Sequence, residues 1–187
     1  MGTNAREDIM EAAKKAAQAH GYGGLSMRDL AAEVGIKAAS LYYHFPSKAE
    51  LATAVAKRYW EDAAADLEKI WDENPDPAER LRFFPVTFRR ALENENRMCL
   101  CSFMGAEYDD LPDQVKEEVQ VFADVNVAWL KKALLASGAV DEEAGEARAK
   151  AVFAAVAGAQ LMARSRADIS LYDTLIDSYR AAGLLPT

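Results

Sequence analysis

In the stretch GIKAASLYYHFPSK, residues 35–48, Tyr42, Tyr43 and His44 stand in a row, with Lys37 before them and Lys48 just behind. Phenols and an imidazole donate and accept hydrogen bonds, aromatic rings touch sugars or a thymine methyl, and ammonium groups hold phosphates. That is the chemistry of nucleic-acid recognition. Ala38, Ala39 and Ser40 open the same element. The two alanines would let a helix start come close to base edges. Lys48 follows Ser47, a good N-cap residue, so its charge would join the unpaired amides of a helix N-terminus in favouring a phosphate. Residue types alone leave a second reading open, since LYYHF equally suits an aromatic helix packed into a core.

The chain reads as helix almost throughout. No alternating apolar run and no Asn-Gly hairpin signal stands out. Side-chain oxygens followed three residues later by an acid mark helix starts at Ser26/Asp29, Ser47/Glu50, Asp76/Glu79 and Ser170/Asp173. The apolar spacing predicts nine helices, over about 6–20, 27–34, 38–44, 48–72, 77–94, 98–108, 112–136, 142–166 and 171–182. Pro85 should kink the fifth or split off its first turn. The second and third are short and joined by EVGIK, where Gly35 supplies a tight turn, which is the pattern of a helix-turn-helix. In that motif the second helix enters the major groove. The expected architecture is all-α, with a three-helix DNA-binding module over 1–50 and a helical ligand-binding and dimerisation domain over 51–187.

The 187 residues carry a net charge of −8, which by itself argues against nucleic acid. The charge is unevenly spread. Residues 1–60 hold 8 Lys and Arg against 6 Asp and Glu, whereas the remainder holds 14 against 24. No run of apolar residues is long enough to span a membrane, and the N-terminus lacks a signal-peptide or myristoylation pattern, so a cytoplasmic protein without membrane association is expected.

The longer stretch SMRDLAAEVGIKAASLYYHFPSKAEL closely resembles the N-terminal module of the TetR (tetracycline-repressor) family of bacterial transcription regulators. The shared positions are Ser26, Leu30, Ala31, Gly35, Ser40, Leu41, Tyr42, His44, Phe45, Ser47, Lys48 and Leu51, and the resemblance is strong over about residues 5–52. It implies that Ser26 and Arg28 touch the DNA backbone and that Lys37, Ala38, Ala39 and Ser40 lie at the mouth of the groove. Tyr42 and Tyr43 would contact phosphate or bases, with His44 beside them and Lys48 clamping a phosphate, while Leu41 and Phe45 point inward. One departure concerns Lys37. Many members place a small and a basic residue with Gly here, so the basic side chain is moved by one position, and the resemblance does not fix whether Lys37 reads a base or holds the backbone. The partners implied are double-stranded DNA carrying a palindromic operator, a second copy of the chain, and a small-molecule inducer.

The eighth helix carries a face of small residues, Ala147, Ala151, Ala154, Ala155 and Gly158, ending in Met162, and the ninth adds Leu171, Leu175 and Tyr179. Such a face permits close helix–helix approach, either within the chain or across a homodimer; the resemblance implies the latter. Polar Asn126 and Gln160 interrupt apolar faces. With Phe84, Phe88, Phe103, Phe122 and Trp129 they could line a cavity for a small, mostly apolar ligand, or be amides satisfied within the core. The resemblance implies such a pocket, whose occupation alters the spacing of the two DNA modules.

Cys99, near a helix start and beside Arg97, is a candidate reactive thiol. Cys99-Leu100 followed by Ala106-Glu107 and Leu111 resembles a segment of electrophile- and oxidant-sensing TetR-family repressors, while a buried free thiol is the alternative. Cys99 and Cys101 point about 200° apart on a helix, and no ligand spacing is present, so no metal site and no cofactor are expected. GYGGLS (21–26) follows a helix rather than a strand and lacks the Lys-Ser/Thr of a phosphate-binding loop. With no nucleophile–base pair and no catalytic residues in view, an enzyme is the weakest alternative, behind a helical adaptor without specific DNA binding.

Overall fold

The computed structural model describes residues 5–186. The expectations about the extreme N-terminus fall partly on residues 1–4, outside the described residues. Among those described there are nine α-helices and no strand. They are α1 (Ala5–His20), α2 (Met27–Val34), α3 (Ala38–His44), α4 (Lys48–Glu73), α5 (Pro77–Glu93), α6 (Leu100–Ala106), α7 (Asp113–Ala136), α8 (Glu142–Arg166) and α9 (Ile169–Ala181), with a 3-10 turn at Tyr108–Asp110. The all-α architecture with an N-terminal helix-turn-helix is as the sequence pattern predicts. No described helix is long and apolar enough to cross a membrane.

The chain forms two compact units: Met1–Trp60 with Leu100–Val121, and Glu61–Cys99 with Phe122–Thr187. In the first, α1 packs on α2 and α6, and α2 packs on α3. Its core is Ile9, Ala13 and Ala17 of α1, Leu30 and Ala31 of α2, Leu41 and Phe45, and Leu51 and Val55 at the start of α4. The bases of these helices are local. Ser26 Oγ accepts from the Asp29 amide at 3.3 Å, and Ser47 Oγ from the Glu50 amide at 3.1 Å; an N-cap of this kind stabilises a helix by about 1 kcal/mol. Gly35 ends α2 in the left-handed region at φ 76, and the Ile36 amide then closes on the Ala31 carbonyl at 2.9 Å. A residue with a Cβ is disfavoured there. Arg58 braces α4 to α1 through both carboxylate oxygens of Glu7, at 3.1 and 3.3 Å, and that hydrogen-bonded guanidinium holds the Glu7 carboxyl below its usual range.

In the second unit α5, α8 and α9 pack on one another. The period-3.6 stripe of α5, Leu81, Phe84, Phe88 and Leu92, is buried as predicted. Pro85 does not split this helix, which runs unbroken from Pro77 to Glu93. Losing a mid-helix hydrogen bond at proline costs about 3 kcal/mol. Burying each large apolar side chain beside it returns roughly 1.5–3 kcal/mol, and Tyr172 Oη donates to the Pro85 carbonyl at 2.7 Å.

Two other expectations are corrected. Ser170 is not the cap of the last helix: Asp168 is, accepting from the Ser170 amide at 2.9 Å, so α9 begins two residues early. The sixth helix is shorter than 98–108. The Cys99 amide is taken by the Gln160 side chain at 3.0 Å, and Glu107 leaves the helix axis to make contacts described below.

Candidate nucleic-acid interface

The split of α3 into two faces decides what this helix does. Leu41 and Phe45 are buried in the first unit, and Arg6 lies over the Phe45 ring at 5.0 Å. Lys37, Ala38, Ala39 and Ser40 are all exposed, Tyr42 is 49% exposed and Tyr43 84%. The aromatic-core reading of LYYHF is therefore set aside for the tyrosines, since Tyr42 is half exposed and Tyr43 almost wholly so. Tyr43 meets the half-buried His44 edge-on, with ring centroids 5.5 Å apart. Lys37 provides the cap position of α3 through its backbone, whose carbonyl accepts from the Ser40 amide at 2.9 Å, while its side chain is exposed. At the start of α2, Ser26 is half-buried and the Arg28 side chain is 90% exposed, beside Asp29 at 3.5 Å. The predicted DNA-reading residues all lie in the first unit, and none of them is buried.

Lys48 is held in place. Its ammonium lies 4.4 Å from the Tyr22 ring centre and 3.4 Å from the Gly23 carbonyl. Burial pushes the Tyr22 phenol above its usual range. The turn that positions Lys48 is itself clasped from far along the chain. Glu107 accepts from the Tyr22 amide at 2.6 Å and from the Gly23 amide at 3.0 Å. Gly21 turns with φ 70, and a Cβ there would lie 2.1 Å from a Glu107 oxygen. GYGG does cradle an oxyanion, one belonging to this chain's own Glu107. No signal in the sequence pairs residues 85 apart, so this role of Glu107 is not legible there.

The remaining predicted residues fall in the second unit, apart from Phe103, which belongs to the first. Phe84, Phe88, Phe122 and Trp129 form a chain of ring contacts with Phe153 and Trp71, at centroid separations of 5.7–6.5 Å. Phe153 shares the face of Gln160 seven residues on, a spacing that the sequence already shows. Within this cluster the buried Trp129 Nε1 finds no acceptor. Asn126 turns back to its own helix, donating to the Phe122 carbonyl at 2.8 Å. Gln160 is 0% exposed; its oxygen accepts from the Cys99 amide at 3.0 Å and its nitrogen donates to the Phe88 carbonyl at 2.6 Å. Its amide ties α5 and the segment before α6 to α8, as in the reading of an amide satisfied within the core.

Cys99 is 2% exposed, and neither cysteine is in a disulfide. Reactive thiols occupy partly exposed, electropositive settings; Cys99 has the burial of a small apolar residue. No group of three or more His, Cys, Asp or Glu among the described residues is placed to hold a metal.

Along α8, the predicted small face is turned outward. Ala147, Ala151, Ala154, Gly158 and Met162 are exposed and Ala155 is half-buried, while Ala149, Val152, Val156, Ala159 and Ala163 face the core. A Cβ on Gly158 would meet nothing within 4 Å. Leu171, Leu175 and Tyr179 of α9 are half-buried.

Residues 9–55 match the family described as bacterial regulatory proteins, tetR family. Over 81 residues the chain is 36% identical to the nucleoid occlusion factor SlmA of Vibrio vulnificus, a stretch covering 43% of this chain and 41% of that protein. The match thus spans less than half the length of such curated relatives. Solved structures extend the likeness. A TetR transcriptional regulator from Legionella pneumophila superposes with a TM-score of 0.89 at 28% identity, covering 97% of this chain and 98% of that one. A TetR-family transcriptional regulator from Agrobacterium tumefaciens gives 0.87 at 27%, covering 93% and 94%. Residues 9–55 thus carry the helix-turn-helix of the tetR family, on a fold shared along nearly the whole chain with TetR-type regulators.

Proposed function

We propose that this protein is a ligand-responsive, sequence-specific DNA-binding transcriptional regulator that acts as a repressor, as a homodimer on a palindromic operator. The observation that carries the reading is the outward face of α3, where Lys37, Ser40, Tyr42 and Tyr43 are exposed around a helix anchored by buried Leu41 and Phe45. Ala38 and Ala39 allow close approach to base edges, Arg28 and Lys48 flank the helix as phosphate contacts, and His44 steadies Tyr43. The functional division assigns DNA reading to residues 1–50, and ligand response and dimerisation to 51–187.

A module of three short helices offers no dimer surface of its own, and the exposed small face of α8 does. Ala151, Ala155, Gly158 and Met162, with Leu175 and Tyr179 of α9, form the proposed interface. Substituting Gly158→Arg fills a space with no neighbour inside the chain, and in a helix Arg is favoured over Gly by roughly 0.8 kcal/mol. Sedimentation should show the wild type at twice the 20.5 kDa chain mass and the variant at 20.5 kDa, with unchanged helicity. Losing the linked second half-site should weaken operator binding by about 10²-fold or more. A variant that stays dimeric, or binds operator as well as a monomer, contradicts the proposal.

The inducer is best accommodated by the aromatic cluster of Phe84, Phe88, Phe122 and Trp129, where the unmet Trp129 indole N–H calls for an acceptor on an otherwise apolar ligand. Release through modification of Cys99 is disfavoured beside it, since the thiol would first have to be uncovered.

A further inference from the structure

Between the end of α5 and the last turns of α8 lies an open pocket of about 420 Å³, lined by Glu95, Asn96, Arg97, Leu161, Arg164 and Ser165. It shares no residue with the face of α3, and nothing in the DNA-binding reading uses it. Its wall is built from an unusual backbone. Glu95 and Asn96, neither a glycine, follow one another in the left-handed region at φ 55 and 56. Such residues persist where the surroundings over-determine them. Here the determinants are plain: the Asn96 amide closes on the Leu92 carbonyl and the Arg97 amide on the Ala91 carbonyl, each at 2.9 Å. Asn96 and Arg164 then clasp each other twice, Asn96 Nδ2 donating to the Arg164 carbonyl at 3.0 Å and Arg164 Nη1 to the Asn96 carbonyl at 2.9 Å.

The consequence of this construction is that guanidinium groups from two separate elements converge on one concavity. Two like charges repel, and burial together with the neighbouring Arg97 draws Arg164 below the usual guanidinium range. The surrounding body is acidic, with 14 Lys and Arg against 24 Asp and Glu over residues 61–187, so a paired-arginine hollow is out of character there. Arg97 already holds one carboxylate at 2.7 Å, that of Glu95, whose side chain is 75% exposed and open to exchange. Ser165 adds a hydroxyl at the rim and Leu161 an apolar flank. Planar guanidinium forks recognise carboxylate and phosphate groups in preference to other anions.

We propose that the Arg97–Arg164 pocket binds a small oxyanion, a carboxylate or phosphate group, on a molecule whose apolar part lies along Leu161. The inference stands apart from the DNA-binding function. Leu161 adjoins the proposed α8 interface, so the test is run on the full chain in its native assembly. Melting temperature is followed while inorganic phosphate or isovalerate replaces chloride at constant ionic strength. The wild type should show a saturable rise of about 3 °C with phosphate, isovalerate or both. Arg97→Gln removes one fork, and Ser165→Asp sets a negative charge at an exposed position on the rim. Both should give flat curves while keeping wild-type helicity. Equal rises in all three proteins would show a general salt effect and overturn the proposal. So would the absence of a saturable rise in the wild type, including the case where Arg97→Gln instead shifts the dimer equilibrium because a second copy's carboxylate fills the pocket.

Discussion

Replacing Tyr42 and Lys48 together by alanine should abolish operator binding while leaving the fold and the dimer intact. Tyr42 is half exposed, and Lys48 sits at the surface of the turn it touches, so the stability change should stay near 0.5 kcal/mol. On DNA the loss is larger. Each removed base or phosphate contact costs about 1–3 kcal/mol, and a dimer loses four of them, so affinity should fall by roughly 10³-fold or more. The two residues are separable by salt. Lys48→Ala alone should lower the slope of log K against log salt by about 2 for the dimer, whereas Tyr42→Ala should leave most of the slope and lower affinity at every salt concentration. Fluorescence anisotropy on a labelled operator reads both. A double variant that still binds with wild-type affinity would move DNA recognition off α3.

The second large effect is on stability. Gln160→Leu should lower the melting temperature by roughly 10 °C. The side chain is fully buried and bridges the Cys99 amide and the Phe88 carbonyl. Leucine fills similar volume but leaves those backbone groups without their partner. A buried donor so orphaned costs about 1–3 kcal/mol, with a smaller penalty at the carbonyl, for a total near 3 kcal/mol. For a chain of this size each kcal/mol is worth about 2–4 °C. If Gln160 instead faced a ligand, its replacement would leave the melting curve of the unliganded protein almost unchanged and alter only the ligand response. Thermal denaturation by circular dichroism distinguishes the two.

How legible all this is from sequence depends on how local the cause is. The bounds of α2, α3 and α8 follow from signals a few residues away: the Ser26 cap, the Gly35 turn, the run from Asp141 to Arg166. The inward turn of Leu41 and Phe45, and the outward turn of Tyr42 and Tyr43, follow from helical spacing in a short element. The small face of α8 is equally plain, because helical periodicity separates Ala151 and Gly158 from Val152 and Ala159. What escapes the sequence is contact with backbone. Gln160 looks like a ligand-facing amide because its partners, the Cys99 amide and the Phe88 carbonyl, belong to every residue type alike. Glu107 clasps two amides of a glycine turn for the same reason. The cap at Asp168 outranks Ser170 only because its carboxylate reaches the Ser170 amide and hydroxyl together, at 2.9 and 2.6 Å. Whether Cys99 beside Arg97 is a reactive thiol or a buried one is decided by tertiary packing, which leaves it 2% exposed.

The central claim is that paired α3 helices read an operator. It is tested most directly by nuclease footprinting of the purified protein on the DNA upstream of its own gene. The expected result is a protected palindrome whose half-sites lie about 34–36 Å apart along the duplex, or a multiple of that spacing, with protection lost as salt rises. An unprotected fragment, bound no better than random duplex of the same length, would contradict it.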